Sequence, residues 1–133
     1  MLTWSDEYSV GVQEIDTQHH RMLDYINELE GALGGENARE HMVNVLNGLV
    51  AYTKEHFTTE EKYFRMFDYK ETDAHIAEHL NLIEDVEVFI FRLETGAELT
   101  PATMLDFLKT WLIEHILGAD KRYMECFHKN GLA

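Results

Sequence analysis

The chain has 133 residues, with 25 acids against 11 bases and a formal net charge of -14. This length suits one domain spanning residues 1–133, and the charge makes nucleic acid and anionic membrane surfaces unsuitable partners. The single cysteine, Cys126, has no internal disulfide partner, which agrees with a reducing, cytoplasmic setting. No apolar run reaches the length of a membrane span, and the opening residues MLTWSDEYSVGV lack the basic start of a signal peptide.

Residues 1–15 show no helical period and read as an arm that packs through Trp4, Tyr8, Val12 and Ile15. The first helix is expected to start near Asp16, a good N-cap type. Its apolar positions are Met22, Leu23, Ile26, Leu29 and Leu33, and it ends in the Gly34-Gly35 turn. A second helix is expected from about Asn37 to Phe67, with the stripe Met42, Val45, Leu46, Leu49, Tyr52, His56, Glu60, Tyr63 and Phe67. Asp68-Tyr69-Lys70 forms the next turn. The third helix runs from about Thr72 to Leu93 through His75, Ile76, His79, Leu82, Ile83, Val86 and Ile90, and Thr95-Gly96 closes it. Thr100 is expected to cap a fourth helix that has Pro101 at its first position, where a missing N–H costs nothing. This helix carries Leu105, Leu108, Trp111, Leu112, His115 and Ile116 and runs to about Phe127. Four amphipathic helices joined by short links imply an all-α, up-down-up-down four-helix bundle over about 16–128.

Histidines interrupt the apolar stripes. His56 and Glu60 are four apart, as are His75 and His79, so each pair emerges from one helical face that also carries core residues. His19 lies one turn before Leu23, and His115 sits between Leu112 and Ile116. Burying one histidine can be offset by a carbonyl, but five with a carboxylate at similar depth call for a cation. Imidazole with some carboxylate suits iron, zinc, copper or nickel rather than magnesium or calcium. His20 lies 100° around the helix from His19, His41 adjoins the better core residue Met42, and His128 is near the C-terminus. These three are assigned to the surface. Asp120, five residues after His115, falls about 140° around an ideal helix from it. On spacing alone it reads as an exposed acid beside Lys121 and Arg122.

The stretches GVQEIDTQHHRML at 11–23, HFTTEEKYF at 56–64, HIAEH at 75–79 and WLIEHILGAD at 111–120 resemble the hemerythrins in their single-domain bacterial form. The similarity covers essentially the whole chain. It implies two iron ions with a bridging oxo or hydroxo group. One ion would be held by His19 and His56, the other by His75, His79 and His115, with Glu60 and Asp120 bridging both. For Asp120 to share the face of His115, the helix must be distorted at Ile116-Leu117-Gly118-Ala119, as by a π-bulge. The resemblance further implies that dioxygen binds reversibly at the open position of the two-histidine iron, for carriage, storage, delivery or sensing. Its pocket would be apolar, with Leu23, Phe57, Trp111, Leu112, Ile116 and Tyr123 as the candidate lining and Tyr8 as a closure from the arm. An oxygen-consuming or redox protein is the expected partner. The expectation is a binding protein rather than an enzyme, set against an iron-dependent oxidase or peroxide-reducing protein, or an iron store or donor.

Overall fold

The computed structural model describes residues 1–96 and 101–133. An arm with a single 3-10 turn at Asp6–Tyr8 leads into α1 (Gln13–Gly31), α2 (Ala38–Met66) and α3 (Thr72–Thr95). The fourth rod consists of α4 (Pro101–His115), a π-helical turn (Ile116–Asp120) and α5 (Lys121–Lys129). There are no strands among the described residues. α1 packs against α2 and α4, and α2 packs against α3. The expected Thr100 cap lies outside the described residues.

The first helix begins three residues before the expected start, with Val12 at its N-cap and no side-chain capping bond. Asp16 does not cap it. Its carboxylate accepts the Val10 N–H at 2.8 Å and the Ser9 hydroxyl at 2.5 Å, so the acid ties the arm onto the first turn. Further back, Asn27 and the Leu2 backbone exchange two hydrogen bonds of 2.8 Å each. Trp4 and Tyr8 pack on the core, as expected of the arm. α1 ends at Gly31, a few residues short of the Gly34-Gly35 turn. Asn37 and Asp68 take left-handed backbone conformations in the first two connections, which short polar side chains tolerate best after glycine.

The core divides into two clusters along the bundle. The larger contains Met22 to Leu29 of α1, Met42 to Leu49 of α2, Leu82 to Leu93 of α3 and Met104 to Leu112 of α4. The smaller is an aromatic cap of Val10, Val12, Ile15, Phe64, Tyr123 and Phe127. In α1 the cap residues precede the main core, whereas in α2 and the fourth rod they follow it, as alternating helix direction requires. Burying each cap aromatic contributes on the order of 2 kcal/mol. In α2 it is Phe64, fully buried, that faces the cap. Its neighbour Tyr63, placed in the stripe by periodicity, is only half-buried.

Candidate metal centre

Between the two clusters lies a layer of polar side chains. His19 comes from α1, His56 and Glu60 from α2, His75 and His79 from α3, and His115 and Asp120 from the fourth rod. All seven are buried, and His56, Glu60 and Asp120 are wholly so. The i,i+4 pairs on α2 and α3 place two donors each on the inner face. Asp120 reaches that layer because the turn before it is π-helical, with the Lys121 N–H donating to the Ile116 carbonyl five residues back. The wider turn returns the aspartate to the face of His115.

Asp120 spans the layer. One oxygen lies 2.9 Å from His75 Nε2 and 3.0 Å from His115 Nε2, and the other lies 3.0 Å from His19 Nε2. Glu60 Oε1 is 3.1 Å from His56 Nε2 and 3.3 Å from His79 Nε2. None of these short approaches has hydrogen-bond geometry. The five Nε2 atoms and all four carboxylate oxygens have no hydrogen-bond partner among the described residues. Orphaned buried polar atoms cost free energy, and here they converge on common points, as metal donors do. They form two groups with ligand atoms within 4.8 Å of one another. Glu60, His75, His79, His115 and Asp120 make one, and His19, His56, Glu60 and Asp120 make the other. Both carboxylates belong to both groups. The donor set therefore fits a pair of cations.

Without metal the layer is strongly coupled electrostatically. Burial pushes the Asp120 carboxyl up, but His115, His19 and His75 outweigh it and hold the group well below the usual carboxylate range. For Glu60, burial and the Asp120 charge push upward, yet the His56 and His79 imidazoles bring the net shift down. Burial disfavours charge on His115, but Asp120, Glu60 and Glu78 raise its pKa to about 9. Burial, with the charges of Glu60 and Asp120, keeps the Tyr123 phenol protonated well above its ordinary pKa.

The imidazoles are also oriented from behind. His56 Nδ1 lies 2.6 Å from Gln18 Oε1. The Gln18 amide nitrogen donates to Thr59 Oγ1 at 3.1 Å, and that hydroxyl donates to the Glu55 carbonyl. The relay leaves the Gln18 oxygen facing His56, so Nδ1 carries the proton and Nε2 offers its lone pair inward. Glu61 accepts from His79 Nδ1 at 3.2 Å, and Glu78 from His115 Nδ1 at 2.9 Å. Sequence reasoning gave no role at the site to Gln18, Glu61 or Glu78. Each adjoins a candidate ligand, but a polar residue on the shoulder of a helix looks like any solvated one.

Of the six candidate pocket residues, Phe57, Trp111 and Tyr123 touch histidines of the layer. Leu23, Leu112 and Ile116 are buried in the main core, and Tyr123 is buried in the cap. The Phe57 ring stacks on His79 with centroids 3.5 Å apart, and Trp111 stacks on His115 at 4.3 Å. Tyr8 packs against the main core. A narrow apolar cavity of about 20 Å³, room for one water-sized guest, lies in the main core. Its walls include Met22, Thr53, Leu82 and Leu112, each three residues from a histidine of the layer. The first three were not foreseen, although a one-turn offset from the histidines points to them. His20 and His41 are exposed. His128 is exposed too, but its Nε2 donates to the Gly11 carbonyl at 2.8 Å.

Fold and site together define a four-helix metal-binding bundle with a histidine-carboxylate centre. Residues 10–127 match the Hemerythrin HHE cation binding domain, and the chain belongs to the hemerythrin family. It is 31% identical over 129 residues to a bacteriohemerythrin of Clostridium acetobutylicum, covering 94% of this chain and 100% of that one. With a bacteriohemerythrin of Pseudomonas aeruginosa it shares 32% identity over 126 residues, covering 93% of this chain and 80% of the relative. The crystal structure of wild-type hemerythrin matches the fold with a TM-score of 0.88 at 28% identity, covering 95% of this chain and 97% of the other.

Proposed function

We propose that this chain is a cytoplasmic, single-domain protein that binds dioxygen reversibly at a non-haem diiron centre and is not an enzyme. The observation that carries the reading is the pair of donor groups sharing Glu60 and Asp120. His75, His79 and His115 would hold one iron, His19 and His56 the other, and the two carboxylates would bridge them. The iron pair, with a bridging oxo or hydroxo group, would supply the electrons that capture dioxygen and take them back on release.

With both carboxylates shared, one group offers five donors and the other four. The histidine-poor half is therefore the one with room for a small guest. The chain's own contribution is to hold the donors fixed and keep water and protons away. Leu23, Phe57, Trp111, Leu112, Ile116 and Tyr123 would line the guest's pocket with apolar and aromatic surface. The Tyr123 phenol holds its proton tightly, so it is a poor acid toward a bound guest. A dry, proton-poor surrounding favours return of the guest unchanged over its release as peroxide. Among the described residues no helix is long and apolar enough to cross a membrane. Delivery would be to an oxygen-consuming or redox protein.

The reading is tested by reducing iron-loaded protein under argon, admitting air, and removing the gas again. The expected result is an absorption band that appears with dioxygen and disappears under argon over repeated cycles. Stoichiometric hydrogen peroxide and a permanently oxidised spectrum after one exposure would contradict it.

A further inference from the structure

The two halves of the centre are supported unequally. Behind the half formed by His75, His79 and His115 stand two carboxylates, Glu61 on His79 Nδ1 and Glu78 on His115 Nδ1. Behind the other half, His56 has only the neutral Gln18 amide. His19 Nδ1 is buried and has no hydrogen-bond partner among the described residues. A carboxylate that accepts the Nδ1 proton fixes the ring and makes Nε2 a stronger donor, whereas an amide fixes the ring with less electronic push. An imidazole with no partner receives neither effect. Among the described residues this applies to His19 and, in the other half, to His75, so the contrast rests on His56 against His79 and His115.

We propose that Glu61 and Glu78 are positioning residues that make the two metal sites unequal, so that the His75, His79 and His115 half binds its ion first and releases it last. This rests on the ligand assignment given under the proposed function. The difference in ligand count acts in the same direction, and the carboxylates add to it. Solvent and a counter-charge limit their effect. Glu78 is about half exposed, and Arg65 approaches Glu61 at 3.9 Å. Loss of such a supporting partner typically weakens metal binding on the order of 10- to 100-fold.

The roles of the supporting residues separate by substitution. Glu61→Gln and Glu78→Gln keep an acceptor for each Nδ1 proton but remove the charge. Glu61→Asp keeps the charge and should recover part of its effect. Gln18→Glu places a carboxylate behind His56 and should strengthen the other half. None of these side chains belongs to either donor group.

The test is titration of iron-free protein with ferrous ion under argon, with X-ray absorption on the species at one iron per chain. The expected wild-type result is two resolved steps and a one-iron form with three imidazole nitrogens around the metal. In the Glu61→Gln, Glu78→Gln double variant the first step should weaken roughly tenfold or more while the second changes less. Gln18→Glu should narrow the gap by tightening the second step. Simultaneous filling in the wild type, or a one-iron form with two imidazoles, would overturn the proposed order. An unchanged gap in the double variant would overturn the role of the two glutamates. Saturation below two ions per chain would instead defeat the diiron reading itself, so the two failures are distinguishable.

Discussion

Gly11 has φ +69, and a Cβ built there would lie 2.6 Å from the ring of His128, whose Nε2 donates to the Gly11 carbonyl. Its N–H donates to the Ser9 hydroxyl, which in turn donates to Asp16. One residue thus joins the arm to both α1 and α5. Gly11→Ala should destabilise the fold by about 1–3 kcal/mol through backbone strain and displacement of the ring, with little change in metal content, because Gly11 belongs to neither donor group. Chemical denaturation read beside a metal count checks this, and an unchanged midpoint would contradict it. The Gly11 contact also alters the view of His128 taken from sequence, where its position near the terminus pointed only to the surface. The partners 117 positions away cannot be seen in local spacing. The same limit hid Gln18, Glu61 and Glu78, whose importance lies in what stands in front of them. The inward histidines were legible for the opposite reason: they interrupt apolar stripes, and burial makes such interruptions costly.

At the scale of elements, the helical period located α2 and α3 to within about two residues, because long stripes average out individual exceptions. The start of α1 was misplaced because Asp16 has the chemistry of a cap but spends its oxygens on Ser9 and Val10. The distortion at 116–119 was readable only once Asp120 was required beside His115. The residues ILGAD carry no composition that would demand a π-turn by itself. That turn supports a paired prediction. Deleting Leu117, which is exposed, should convert the wide turn to an ordinary i→i−4 ladder and leave α5 facing the cap. Inserting an alanine after Ala119 should rotate Asp120, Tyr123 and Phe127 a further 100° or so. The deletion should retain helicity and a cooperative transition, while the insertion should lose metal and markedly lower the melting temperature. Circular dichroism and metal analysis would read both, and equal tolerance of the two changes would contradict this account of the turn.

For the whole molecule, the polar layer is a liability without metal and a joint when metal is bound. Removing the metal from loaded protein should lower Tm by on the order of 10 °C, since a ligand bound only by the folded state adds to its stability. A Tm unchanged by chelation would contradict that coupling. The metal-free form should also depend on pH on both sides of neutrality. Asp120 and Glu60 are shifted downward by folding, so their contribution is present above the ordinary carboxylate range and is lost as pH falls through their lower folded values. His115 is raised to about 9, so its contribution is complete below its unfolded pKa and is lost as pH rises toward about 9. Thermal unfolding of chelated protein across pH should therefore show losses at the acid and alkaline ends. A flat profile through pH 6–9 would argue against the raised His115.

The central claim is that one buried layer holds two metal ions between shared carboxylates. Anomalous diffraction at the iron edge from crystals of iron-reconstituted protein tests it most directly. Two peaks are predicted, one among His75, His79 and His115 and the other between His19 and His56, with Glu60 and Asp120 touching both. A single peak, or iron found only on the acidic surface, would contradict the account.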